Sequence, residues 1–197
     1  MTYMFDQTRE GERRRLELLE RARDPGSVRR LERTGVGAGW RCLEIGAGRG
    51  SIARWLARRS GPDGSVLAID LEPELLSDID EPNIEVRGAD VLEIELPEGA
   101  FDLIHTRAVL LHVPDRARAI ARMASWLAPG GWLAVEEVDW LGRAVADSGW
   151  SRCLDAYERG TPPMDWFCGR ELVHELAAAG LDVVDADGDV DAIARAA

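Results

Sequence analysis

Leu43-Glu44-Ile45-Gly46-Ala47-Gly48-Arg49-Gly50-Ser51 is the stretch of this 197-residue chain whose residue types and spacing point most clearly to chemistry. It joins a short apolar run to a helical pattern. Glycines at such a junction let the backbone turn tightly and approach a ligand without a Cβ in the way. The third glycine stands at 50, which gives G-x-G-x-G. The dinucleotide pattern G-x-G-x-x-G would require a glycine where Ser51 stands.

Three carboxylates accompany the loop. Glu44 ends the strand that feeds it, where a negative charge would repel a pyrophosphate but attract the ammonium of S-adenosylmethionine. Asp70 closes Val66-Leu67-Ala68-Ile69-Asp70, about 20 residues beyond the loop, where a carboxylate can accept both ribose hydroxyl hydrogens. Either cofactor type would use it. Asp90, in Arg87-Gly88-Ala89-Asp90-Val91, is placed to accept from an adenine amino group or to cap a turn.

Residues of these kinds need a sheet edge to hold them. From Trp40 onward, short runs rich in Val, Ile and Leu alternate with helical patterns, the signature of a parallel sheet covered on both faces. Strands are expected at 41–45, 65–69, 84–87, 101–105, 132–138 and 181–185, and helices at 50–59, 73–79, 115–127 and 169–179. Before them, residues 6–34 read as two short amphipathic helices broken at Asp24-Pro25-Gly26, their interspersed charges forming a solvated face. The fold class is therefore α/β, doubly wound and Rossmann-like. A helical cap occupies 1–35, the cofactor-binding domain 36–186 and a tail 187–197.

The net charge of −12 disfavours partners held through nucleic-acid phosphates or anionic lipid and leaves a small molecule as the expected partner. The charged first twenty residues lack the apolar core of a secretion signal. No stretch approaches the length of a membrane span, so a cytoplasmic location is expected. Cys42, Cys153 and Cys168 show neither a disulfide framework nor a metal-ligand spacing, and no metal site is expected.

In order and spacing, LEIGAGRGS at 43–51, VLAID at 66–70, GADVLE at 88–93, FDLIHTRAVLLHVPD at 101–115 and LAPGGWLAVEE at 127–137 resemble the class I S-adenosylmethionine-dependent methyltransferases. The resemblance covers approximately residues 36 to 186. It implies that Gly46, Ala47, Gly48 and Gly50 line the cofactor, Asp70 holds the ribose, Leu71 packs on the adenine, and Asp90 with Val91 reads its edge. It also implies that His105, Thr106 and Arg107 stand beside the methionine moiety together with Glu44.

Methyl transfer from a sulfonium is an in-line displacement on an already activated group, so positioning can supply much of the rate. If the acceptor needs a base, His112 or His105 is the natural candidate at neutral pH. The family often has a histidine near the position of His112 as part of a structural turn. Glu136 and Glu137 lie on the ligand edge, but adjacent strand residues alternate faces, so one of them points away. The segment 139–168 holds Trp140, Trp150, Tyr157, Met164, Trp166 and Phe167 and can roof an acceptor pocket or pack as core.

The family's final antiparallel strand has no counterpart after residue 185, which leaves an open sheet edge and predicts a homodimer or low stability. Two other functions suit parts of the pattern. One is an NAD(P)-dependent oxidoreductase, against which the glycine spacing and Glu44 argue. The other is a non-catalytic S-adenosylmethionine-binding or interaction protein.

Overall fold

The computed structural model describes residues 9–139 and 164–187. Among the described residues, five strands form one parallel sheet in the order β3-β2-β1-β4-β5. They are β1 Arg41–Ile45, β2 Ser65–Asp70, β3 Ile84–Gly88, β4 Phe101–Arg107 and β5 Leu127–Glu136. β1 and β2 are buried over nearly their whole length, as a sheet covered on both faces requires.

The helices are α1 Arg9–Arg33, α2 Ser51–Ser60, α3 Arg116–Trp126 and α4 Leu172–Ala178. One face of the sheet packs Cys42, Val66, Ala68 and Leu103 against Leu31 of α1 and Ile52 and Leu56 of α2. The other packs Leu43, Ile45, Leu67, Ile69 and Ile104 against Ile120, Met123 and Trp126 of α3 and Leu172 of α4. Asp115 caps α3 by accepting from the Arg118 N–H. The order 3-2-1-4-5 reverses direction between β1 and β4, and ligands of open parallel sheets bind at the carboxyl ends of the strands at such a point.

Besides β5, expected at 132–138 and found at Leu127–Glu136, three elements differ from the sequence expectation. The N-terminal segment is one 25-residue helix that runs through Pro25. Pro25 has no N–H to give the preceding turn, a defect that ordinarily ends a helix. Here tertiary contacts on either side hold it: Asp24 meets Arg107 and Ser51, and Ser27 meets Glu136.

The expected helix 73–79 contracts to a 3-10 turn, Pro73–Leu76, that buries Leu75 and Leu76. Ser77 and Asp78 follow, residue types that compete with the backbone for hydrogen bonds.

The expected sixth strand at 181–185 is irregular. Asp185 at its end pairs with Arg33 of α1, and Asp187 just beyond it pairs with both Arg30 and Arg33. No antiparallel strand occurs among the described residues, and β5 forms an edge. No helix among them is long and apolar enough to cross a membrane. Most of the aromatic segment 139–168, including Trp140, Trp150 and Tyr157, lies outside the described residues, as does the tail from 188.

Candidate active site

The loop after β1 is built over the end of β2. The N–H groups of Gly46 and Ala47 donate to the Ile69 carbonyl, and the Gly48 N–H donates to Asp70 Oδ2 at 2.8 Å. Asp70 Oδ1 accepts from the Glu72 N–H at 2.9 Å, so one carboxylate braces the loop and its own turn together. Burial pushes the Asp70 carboxyl above its ordinary value against the pull of those backbone donors.

Gly46 has φ 70°, and a Cβ there would run into the Val109 side chain. Gly48 has φ 57°, with Leu16 of α1 lying above it. Gly50 is different: it is buried at the start of α2, and a Cβ would press on Ile79 and Leu76, so it serves helix packing and does not line the cleft.

Glu44, Gly46, Ala47, Gly48, Asp70, Leu71, Asp90, Val91, Arg107 and His112 all border one open cleft along the carboxyl edge of the sheet. Leu71 is 55% exposed there, an unusual position for a leucine unless something covers it. Asp90 makes the turn that the sequence left open, with Oδ1 accepting from the Leu92 N–H and its carbonyl from Glu93 and Ile94. Arg107 reaches α1, where it donates to Asp24 at 3.0 Å and to Ser27 at 2.8 Å.

Besides Gly50, two expected site residues are not on the cleft wall. Thr106 is fully buried beneath the edge, its hydroxyl without a hydrogen-bond partner among the described residues. His105 is also fully buried, because β4 points it toward the α1 side between β1 and β5. Its Nδ1 lies 2.7 Å from Glu44 Oε2 and its Nε2 3.1 Å from Glu136 Oε1.

Burial alone would push the His105 imidazole down. The two carboxylates outweigh it and raise the pKa to about 9. Such a group is an imidazolium at neutral pH with both nitrogens engaged, so the geometry does not equip His105 to act as a base. His112 is partly buried on the cleft wall, and burial together with the nearby Arg15 charge lowers its pKa. It is neutral at pH 7 and able to accept a proton.

Glu136, the last residue of β5, and Glu137 just after it turn to opposite sides. Glu136 turns toward α1, where Ser27 donates at 3.1 Å and Arg30 at 3.3 Å. Glu137 turns the other way. Its Oε1 accepts from the N–H groups of Val109 and Leu110 at 2.8 and 2.6 Å, and so anchors the loop that carries His112. Burial raises the Glu137 pKa from 4.5 to about 7 in spite of those donors.

An acid raised on folding contributes stability that is complete below the unfolded value and is lost as pH climbs through the folded one. Glu137→Gln, whose amide oxygen can still accept from both N–H groups, is therefore expected to flatten the decline in stability between pH 4.5 and about 7. Thermal unfolding at several pH values checks it, and an unchanged decline would contradict the assignment.

Sequence reasoning missed the contribution of α1. Asp24, Ser27 and Arg30 were hidden in what reads as a solvated charged face. The one signal was Asp24-Pro25-Gly26-Ser27, poor helix formers in the middle of the segment, which read as a break.

A family model described as a methyltransferase domain matches residues 4–186. The loop, Asp70 and the five-stranded parallel sheet all lie within that match. The chain belongs to the class I S-adenosylmethionine-dependent methyltransferases.

Methyltransferase str2 of Strobilurus tenacellus is 41% identical over 99 residues, which are 50% of this chain and 35% of that protein. Trans-aconitate 2-methyltransferase of Mycobacterium tuberculosis is 31% identical over 106 residues, 54% of this chain and 40% of the relative. This methyltransferase chain thus covers less than half the length of the curated relatives it matches.

An S-adenosylmethionine-dependent methyltransferase from Aquifex aeolicus superposes with a TM-score of 0.61 over 82% of this chain and 81% of that one, at 22% identity. The cyclase SpnF superposes with 0.59 over 94% and 62%, also at 22% identity. These two likenesses are of fold, and a fold that also carries a cyclase does not by itself fix a reaction.

The residues present fit the family's cofactor. Gly46, Ala47 and Gly48 of the loop border the cleft, Asp70 presents its carboxylate there, and acids at the ends of β1 and β5 stand where a cationic group would lie.

Proposed function

We propose that this chain binds S-adenosylmethionine across the carboxyl edge of β2, β1 and β4 and transfers its methyl group to a small-molecule acceptor. The observation that carries the reading is the Asp70 bracket. One carboxylate at the switch-point edge braces a G-x-G-x-G loop in a chain of this family. Asp70 would accept the ribose hydroxyls, with Leu71, Asp90 and Val91 bordering the adenine side and Glu44 and Arg107 the methionine side.

When bound, the cofactor supplies an activated methyl group, so the chain's task is to orient an acceptor and exclude water. Leu111, Met164 and Trp166 form an apolar wall next to His112, which suits an acceptor with an apolar body. His112 would take the acceptor's proton at a ring nitrogen as the new bond forms. The name of one relative gives trans-aconitate, a small molecule, as the acceptor, and the net charge of −12 speaks against a nucleic acid in that place.

The test is transfer of labelled methyl from S-adenosylmethionine to a panel of small organic acceptors. With a turned-over acceptor in hand, His112→Gln is expected to lower kcat by ~10²-fold while leaving cofactor affinity within about twofold. Cofactor binding with no transfer to any acceptor would favour the non-catalytic reading.

A further inference from the structure

Glu44 and Glu136 both border the cleft, yet each gives an oxygen to the imidazole of His105, which does not. Glu44 and His105 are register partners on β1 and β4, the two strands between which the sheet order reverses. A ligand whose ribose rests on Asp70 of β2 and which extends toward β4 brings its far end over these two carboxylates. Any cation there shares these two carboxylates with the imidazolium.

The surroundings of the bridge define its charge. From α1 come Asp24 and Arg30, with Ser27 linking Glu136 to Arg107 of β4, and from α2 comes Ser51 on Asp24. Three acids, Glu44, Glu136 and Asp24, stand against His105, Arg30 and Arg107. Arg30 is shared with Asp187 on its outer side. Loss of the His105 proton therefore leaves a negative excess at the place where a cationic ligand end would arrive.

S-adenosylmethionine carries a sulfonium in addition to its amino acid zwitterion, whereas S-adenosylhomocysteine carries a neutral thioether. We propose that the Glu44–His105–Glu136 bridge is the charge-matching element of the cofactor site: His105 releases its proton when the sulfonium ligand binds and keeps it beside the thioether product. The Nε2–H bond breaks with its electron pair staying on nitrogen, and the proton leaves by way of Glu136, whose side chain is 15% exposed, to solvent. The effect is a preference for cofactor over product that strengthens with pH. This rests on the cofactor reading above, and His105 acts in it as a positioning residue, through the two carboxylates.

The full chain is titrated calorimetrically with S-adenosylmethionine and, separately, with S-adenosylhomocysteine at about pH 7.5, in buffers of different ionisation enthalpy. The sulfonium lowers the α-amino pKa of its own ligand relative to the thioether, so each free ligand is titrated separately and the proton change of its α-amino group is subtracted before the two are compared. Close to one extra proton is expected to be released with the sulfonium ligand, and its affinity relative to the thioether should rise up to about tenfold per pH unit toward pH 9. In His105→Gln, which cannot carry the charge, the extra release should vanish and the affinity ratio should become independent of pH.

Equal proton release with both ligands, or release that persists in His105→Gln, would overturn the inference alone. Failure of either ligand to bind would overturn the cofactor reading and the inference with it. If His105→Gln does not fold, the two-ligand comparison on the unsubstituted chain still decides.

Discussion

Asp70→Ala is expected to abolish stabilisation by S-adenosylmethionine while the chain stays folded. A ligand at ~100 times its dissociation constant adds about 2.7 kcal/mol to the native state, which in a domain of this size raises the midpoint of thermal unfolding by roughly 5–10 °C. Without Asp70 that rise should disappear, a loss of at least ~100-fold in affinity. Two effects combine: the ribose hydroxyls lose their acceptor, and the Gly48 N–H loses the bond that holds the glycine loop against β2.

Asparagine is the informative companion. It has one acceptor oxygen where the native turn needs two, since the Gly48 and Glu72 N–H groups each face a different oxygen of Asp70. An amide would turn its NH2 toward one of them. Burial opposes the Asp70 charge, so removing that charge should cost little folding free energy, and Asp70→Asn should be a folded chain that does not bind. NAD and NADP, titrated alongside, should give no shift with the unsubstituted protein. Retained binding of S-adenosylmethionine in either variant would remove the central support from the proposed function.

Much of the fold is legible in the sequence because it is written in local periodicity. β1 and α2 fall where the apolar runs and the glycine loop place them, and β2, β3 and β4 differ only at their ends. β5 begins earlier than expected because Pro129-Gly130-Gly131 lies within the strand, at an irregularity in its pairing with β4. What resists such reading is decided by contacts between distant residues. Pro25 looks like a break until Asp24 and Ser27 are seen anchored to β4 and β5, 83 and 109 residues away. The 181–185 segment has strand composition, yet Asp185 at its end and Asp187 beyond it pair with arginines of α1, and its backbone does not join β5.

The site divides along the same line. The loop, Asp70 and Asp90 are motif residues whose roles follow from neighbours in sequence. His105 stood out as a histidine at a strand end, the right place for a base, but what it does depends on the strands either side of it. Glu44 is 61 residues away and Glu136 is 31, and only the register of β1, β4 and β5 brings both to its ring. The alternation of Glu136 and Glu137 could be read from strand geometry; which of the two faced His105 could not.

Removing that histidine should produce the largest change in stability of any side chain at the site. His105→Ala leaves Glu44, only 3% exposed, and Glu136 with no cation between them. Breaking a buried ion pair from one side typically costs 3–5 kcal/mol, because the remaining charge keeps its desolvation penalty. The rise of the imidazole from 6.5 to about 9 corresponds to roughly 3 kcal/mol, so both routes give the same order.

The pH dependence separates this cause from simple loss of packing. A base raised on folding contributes stability that is complete below its unfolded value and is lost as pH rises through the folded one, so the unsubstituted chain should weaken between pH 6.5 and about 9. In His105→Ala no imidazole remains to titrate in that range. The decline should then be absent, and the gap between variant and parent should narrow as pH rises toward about 9. Denaturant unfolding at about pH 5, 7 and 9 measures both. A variant that is equally destabilised at every pH would mean that His105 fills space in the sheet and that its charge contributes nothing to the site.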